Sequence, residues 1–296
     1  SYTANNPLSR IDPTGESWED LSNWISDTWN SICDTVSSWF SGGGNNDGDA
    51  GDSGSETTKE DKDKEDGATY ADKPNVYVVN DDIKKEIQIE QERVMESIEQ
   101  LVNKAQGLEV GGKEWEDTMN AIKGGFEALE LLNAKEAYHD AAVALERARE
   151  SKDSGKFKEA EDLFNMVLDN LLSKAGYGQY NHNNFTFNGR NYIHVTANPS
   201  LIIATAKLGD KLGAASINMS EGFRTEWEHY NVVYKDYEEK GKVPPNYKDK
   251  NGNIINQHGR NMAVDVTFYN AGGQPISPQT AYNEAYNMPE IGGVAI

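Results

Sequence analysis

The chain has a single cysteine, Cys33, which excludes an internal disulfide framework and any zinc site built on several thiolates. It is short of positive charge. Lys and Arg number 28 against 49 Asp and Glu, for a net charge of −21. That is the opposite of the basic footprint a nucleic-acid-binding protein presents, so no nucleic-acid partner is expected. Long apolar runs are missing too. No stretch reaches the roughly 18 apolar residues that a membrane-spanning helix needs. Hydrophobic residues make up 36% of the chain and mean hydropathy is −0.75, so part of it is expected to stay outside any packed core.

What is present is unevenly spread. At 296 residues the chain is long enough for two domains. Residues 175–296 are nearly neutral, with eleven acids and ten bases, so the acidity belongs to the first 174 residues. Residues 1–15 contain two turn initiators, Asn6-Pro7 and Asp12-Pro13, and Gly15 closes the second turn. Over residues 16–40, Trp18, Leu21, Ile25, Trp29, Ile32, Val36 and Trp39 recur at three- and four-residue steps and predict an amphipathic, Trp-rich helix. Its polar face carries acids and no Lys or Arg, so it suits a protein partner better than anionic lipid. Cys33, beside Ile32, reads as a packing residue. Residues 41–80 read as an acidic, disordered linker. Their Asp47, Asp49 and Asp52 lack the terminal Glu and flanking helices of a calcium-binding hand.

Residues 81–174 predict a helical bundle acting as spacer or adaptor. Ile83, Ile87, Ile89, Val94, Ile98, Leu101 and Val102 mark a first helix, and Gly107, Gly111 and Gly112 end it. A second is expected over about 115–132 with a soft Gly124-Gly125 in its middle, and a third over about 134–149. A fourth follows the Ser154-Gly155 turn, with Ala141, Ala144 and Ala148 facing Phe157, Ala160 and Phe164. His139 reads as a partly exposed helix residue.

Residues 175–296 change to an α+β pattern. A hairpin with an Asn188-Gly189 turn is expected over 185–193, and a helix opens at Pro199. A strand from Ser216 ends in a turn that presents Arg224, and residues 226–239 read as helix. The alternating run Ala263 to Phe268 reads as a strand, Ser277-Pro278 starts a last helix, and Ile291 opens a further strand. His258 and Asp265, one from a loop and one from the strand it feeds, form a nitrogen and oxygen pair that zinc accepts.

Two resemblances give these patterns a functional direction. Tyr2, Asn5, Asn6, Pro7, Asp12, Pro13 and Gly15 resemble the motif that ends the Rhs/YD-repeat core of bacterial polymorphic toxins. That resemblance implies a β-shell before Gly15, a variable toxin region after it, and release near the motif. Glu16 stands where many members have an apolar residue. It also implies secretion or delivery to a target cell in interbacterial competition, and partners such as an immunity protein, the Rhs shell or a chaperone. The start at Ser1 rather than Met fits a piece of a longer chain.

Residues Glu221-Gly222-Phe223-Arg224-Thr225, followed by His258, Ala263 and Asp265, resemble the two leading motifs of the D-Ala-D-Ala carboxypeptidase superfamily, the LAS-type zinc peptidases. The resemblance covers about the last 110 residues. It implies a zinc peptidase that hydrolyses peptide bonds in peptidoglycan stems or cross-bridges, with His258 and Asp265 as zinc ligands and Arg224 binding the substrate's carboxylate or carbonyl. Two residues depart from the pattern: Asn261 stands where the family has Gly, and Glu221 where it has a small residue. The family's third ligand, a histidine, is expected beyond Ile296, with His194 and His229 as possible substitutes. A non-enzymatic adaptor or delivery module carrying a degenerate peptidase domain is the alternative.

Overall fold

Apolar residues on one face of α1, Asp82–Ala105, dock it onto the next helix through Ile87 and Ile98. The computed structural model describes residues 82–187, 194–243 and 246–291. The Pro7, Asp12, Pro13 and Gly15 motif, the Trp-rich helix, the acidic linker, the Asn188-Gly189 turn and the strand expected after Ile291 lie outside these residues.

Two helices were expected over 115–149, but the chain forms one, α2, Lys113–Ser151, 39 residues long. Each interior glycine costs a helix about 1 kcal/mol relative to alanine. Gly125 offsets that cost by allowing close approach of α1, because a Cβ there would fall 2.6 Å from Ile98 Cγ1. Asn133, the expected break, stays helical, and its Oδ1 accepts a hydrogen bond from Gln91 Nε2 at 3.0 Å. Lys152 then turns the chain in the left-handed region, with φ 57°. Asp153 caps α3, Ser154–Lys174, by accepting from the backbone N–H groups of Gly155 and Lys156.

The face that α2 buries differs from the expected one. Ala141, Ala142 and Leu145 are buried, whereas Ala144 is exposed. Because α2 contacts both α1 and α3, its buried stripe is wider than a two-helix seam and shifts around the helix. The same cover buries His139, expected to be partly exposed, to 2%. Lys84 on α1 reaches over to Asp140 at 2.6 Å, and Asp140 Oδ1 lies 3.2 Å from His139 Nδ1.

The C-terminal segment builds a three-stranded sheet in the order β1-β2-β3. Strand β1 is Phe185–Thr186, β2 is Ser216–Glu221 and β3 is Asp265–Tyr269. The β1–β2 pair is parallel and the β2–β3 pair antiparallel. Phe185, at the start of the expected 185–193 hairpin, pairs with Ile217, and His194, just after its end, bridges to Phe223. Helix α4, Pro199–Lys211, has proline in its first turn and is capped by Asn198. Its Ile202, Ala206 and Leu208 are buried, and it packs closely on β2, where a Cβ at Gly209 would fall 2.6 Å from Ile217 Cδ1. Helix α5, Glu226–Glu228, starts with a capping box formed by Thr225 and Glu228. It runs through a π-helical turn, His229–Val233, into α6, Tyr234–Glu239. Ser277 caps α7, Pro278–Tyr286. The described residues are of mixed α+β class, and none of their helices is long and apolar enough to cross a membrane.

Bundle and sheet are joined by buried polar contacts. Glu146 of α2 accepts from His194 Nδ1 at 2.5 Å and from Val195 N at 2.9 Å. On its other side, His194 Nε2 lies 3.0 Å from Glu228 Oε1. Tyr138 Oη of α2 donates to Thr196 O at 3.0 Å. Burial alone would lower the pKa of His194, but its hydrogen bonds and charge interactions with Glu146 and Glu228 outweigh this and raise it to about 9. The imidazolium therefore belongs to the folded state. Since the folded value exceeds the unfolded value of about 6.5, this contribution is complete below about pH 6.5 and is lost as pH rises through 9. Unfolding free energies from urea titrations followed by circular dichroism are expected to fall across that window by up to about 3 kcal/mol, and His194→Gln is expected to remove the slope. An equally steep slope in the variant would show that another group is responsible.

Candidate metal centre

The site lies at the end of β2, where the ladder to β3 is irregular. Met219 faces Val266, but Glu221 rather than Ser220 faces Asp265. Such bulges re-aim side chains. This one sets two carboxylates directly across from each other, an arrangement that destabilises a sheet unless something offsets it. Arg224 provides part of the offset, since its Nε donates to Glu221 Oε1. Burial would raise the Glu221 pKa, but the bond and charge of Arg224, together with the nearby His258 ring, hold it below the usual carboxylate range. Asp265 moves the opposite way. Partial burial and the like charge of Glu221 raise it against the pull of His258. Its side chain is still 56% exposed, so the Glu221 charge is the firmer cause.

His258 opens a 3-10 turn, His258–Arg260, in the loop before β3. Its Nδ1 lies 2.9 Å from the carbonyl oxygen of Gly222. With the proton on Nδ1 donating to that carbonyl, Nε2 carries the lone pair, and it lies 3.6 Å from Asp265 Oδ1. A backbone carbonyl on one ring nitrogen and a free lone pair on the other is the usual setting of a metal-ligating histidine. Among the described residues, donor atoms of Glu221, His258 and Asp265 all lie within 4.8 Å of one another. One imidazole nitrogen and two carboxylates form a donor set compatible with a divalent cation.

The surrounding chain explains why these residues meet. Gly222 passes so close to the 194–196 segment that a Cβ would fall 2.7 Å from Thr196 N and 2.8 Å from His194 O. Tyr247 steadies the other side. Its hydroxyl donates to Arg224 O at 2.9 Å, and its ring lies against Gly259, the residue after His258. Asn261 sits in the left-handed region, φ 56° and ψ 33°, a conformation that asparagine tolerates better than most residues. Its Oδ1 also accepts from Ala197 N at 3.1 Å, tying the loop to the core.

The two histidines named as substitute ligands lie elsewhere. His194 is held between Glu146 and Glu228. His229 is fully buried, with ring contacts to Tyr230, Tyr234 and Tyr247. Neither belongs to the donor cluster. The residue the sequence did not mark as a donor is Glu221, which read as a departure beside the arginine. The visible signal was its place at the end of a strand that can pair with the strand starting at Asp265. No protein-family model, curated protein or solved structure matches the chain.

The close approach at Gly222 makes a specific prediction. Gly222→Ala forces backbone against backbone, and it is expected to cost about 2–3 kcal/mol in urea unfolding, toward the upper end of typical overpacking. A variant as stable as wild type would show that the 194–196 segment yields freely.

Proposed function

We propose that the chain is the C-terminal region of an Rhs-type bacterial polymorphic toxin, secreted or delivered to the envelope of a target cell. Its residues 175–296 act as a zinc-dependent hydrolase, a metallopeptidase of the D,D-carboxypeptidase or endopeptidase type whose substrate is the peptidoglycan stem peptide. An immunity protein, and the Rhs shell or a chaperone, are the expected protein partners. The observation that carries the reading is His258, fixed through Nδ1 to Gly222 with Nε2 toward Asp265, one short turn from Arg224.

Each residue has a part in this reading. His258 and Asp265 hold the zinc. Zinc, when bound, supplies Lewis-acid polarisation of the scissile carbonyl and a water of lowered pKa. Arg224 is only 11% exposed along its side chain, and Glu221 takes its Nε. That contact fixes the guanidinium plane and leaves the terminal nitrogens as a planar fork for a substrate carboxylate or carbonyl. Tyr247 and Gly222 hold the two backbone segments that carry these groups. The engagement of Arg224 by Glu221 also gives the alternative its basis: in a non-enzymatic adaptor or delivery module, the same ion pair would be purely structural.

The test uses the zinc-loaded full chain and purified peptidoglycan fragments, with products read by mass spectrometry. Wild type is expected to release peptide or amino-acid products. His258→Ala is expected to lose zinc and to slow cleavage by about a thousandfold or more. Undiminished cleavage by that variant would remove the zinc assignment, and zinc binding without any cleavage would favour the adaptor reading.

A further inference from the structure

His258 and Asp265 are two donors, whereas catalytic zinc normally takes three from the protein. We propose that Glu221 is the third, so that the end of β2, the loop before β3 and the start of β3 form a complete Glu/His/Asp site for one divalent cation. This rests on the metal reading of His258 and Asp265 given above.

Three observations converge on Glu221, and a further one on the two donors it would join. The bulge in β2 brings it opposite Asp265, where a regular ladder would have placed Ser220. Its donor atom lies within 4.8 Å of those of both His258 and Asp265. The 3.6 Å between His258 Nε2 and Asp265 Oδ1 is close to the roughly 3.3 Å that separates two ligands of a tetrahedral zinc with bonds of about 2.0–2.1 Å. Arg224 bonds Glu221 Oε1, which orients the carboxylate in the way that outer partners orient metal ligands.

Charge points the same way. Glu221 and Asp265 bring two carboxylates to one point and Arg224 returns one positive charge. A divalent cation removes the remaining repulsion across the strand pair. One nitrogen and two oxygen donors favour zinc, cobalt(II) or manganese(II) over thiophilic ions.

The full chain, stripped of metal, is titrated with zinc and separately with cobalt(II), whose visible absorption reports its donor set. Wild type is expected to bind one equivalent, and His258→Ala to bind none. Glu221→Gln, close in shape, is expected to bind at least tenfold more weakly and to change the cobalt spectrum. Glu221→His is expected to bind within a few-fold of wild type with a shifted band, because a histidine can ligate there. A residue acting only as the partner of Arg224 would not be rescued by histidine. If Glu221→Gln keeps wild-type affinity and spectrum while His258→Ala binds nothing, Glu221 is not a ligand, although the metal reading of His258 stands. If wild type binds neither ion, both readings fall.

Discussion

The contact on which most else depends is the buried Glu146–His194–Glu228 chain. Glu146 belongs to the long helix α2, His194 to the segment entering the C-terminal core, and Glu228 to the cap just after Arg224. Removing one partner from a buried ion pair leaves an uncompensated charge, at a cost of about 3–5 kcal/mol. The network therefore fixes where the helical layer meets the sheet. It also fixes the turn that carries Glu221, Gly222 and Arg224. Glu146 accepts from Val195 N, and His194 O in turn accepts from Phe223 N. Helix packing is thus transmitted to the candidate centre through two short backbone steps.

The centre itself is locally unfavourable. Two carboxylates face each other across a strand pair, a bulge interrupts the ladder between them, and Asn261 takes a left-handed conformation beneath the loop. Each feature costs something in isolation. The neighbours that offset them are Arg224 on Glu221, the Gly222 carbonyl on His258, and Ala197 N on Asn261. A set of acids held together by surrounding bonds, rather than spread apart, is what a cation site requires.

Much of the helical framework was legible from periodicity. The apolar steps from Ile83 to Val102, the Asn198-Pro199 start and the Ser277-Pro278 start each correspond to a described helix. The failures share a cause. Gly124-Gly125 signalled weakness in a helix, yet Gly125 is where Ile98 comes closest. Ala144 and His139 were placed by a two-helix picture, whereas α2 is covered from two sides. Local propensity registers the cost of a residue but not the neighbour that repays it.

The sequence by itself determined the helical character of most described segments, the α+β class and the candidacy of His258 and Asp265, seven residues apart, as metal donors. Only the tertiary structure decided which residue joins them. Glu221 lies 37 positions before His258, and nothing local distinguishes it from any other acid at a strand end. The β2–β3 register and its single bulge bring it opposite Asp265. The same holds for His194, whose role follows from two glutamates that approach it from separate helices. Strand register and helix packing are set by the burial of whole faces. Charged groups far apart in the chain meet as a consequence of that burial, and no short stretch of sequence records it.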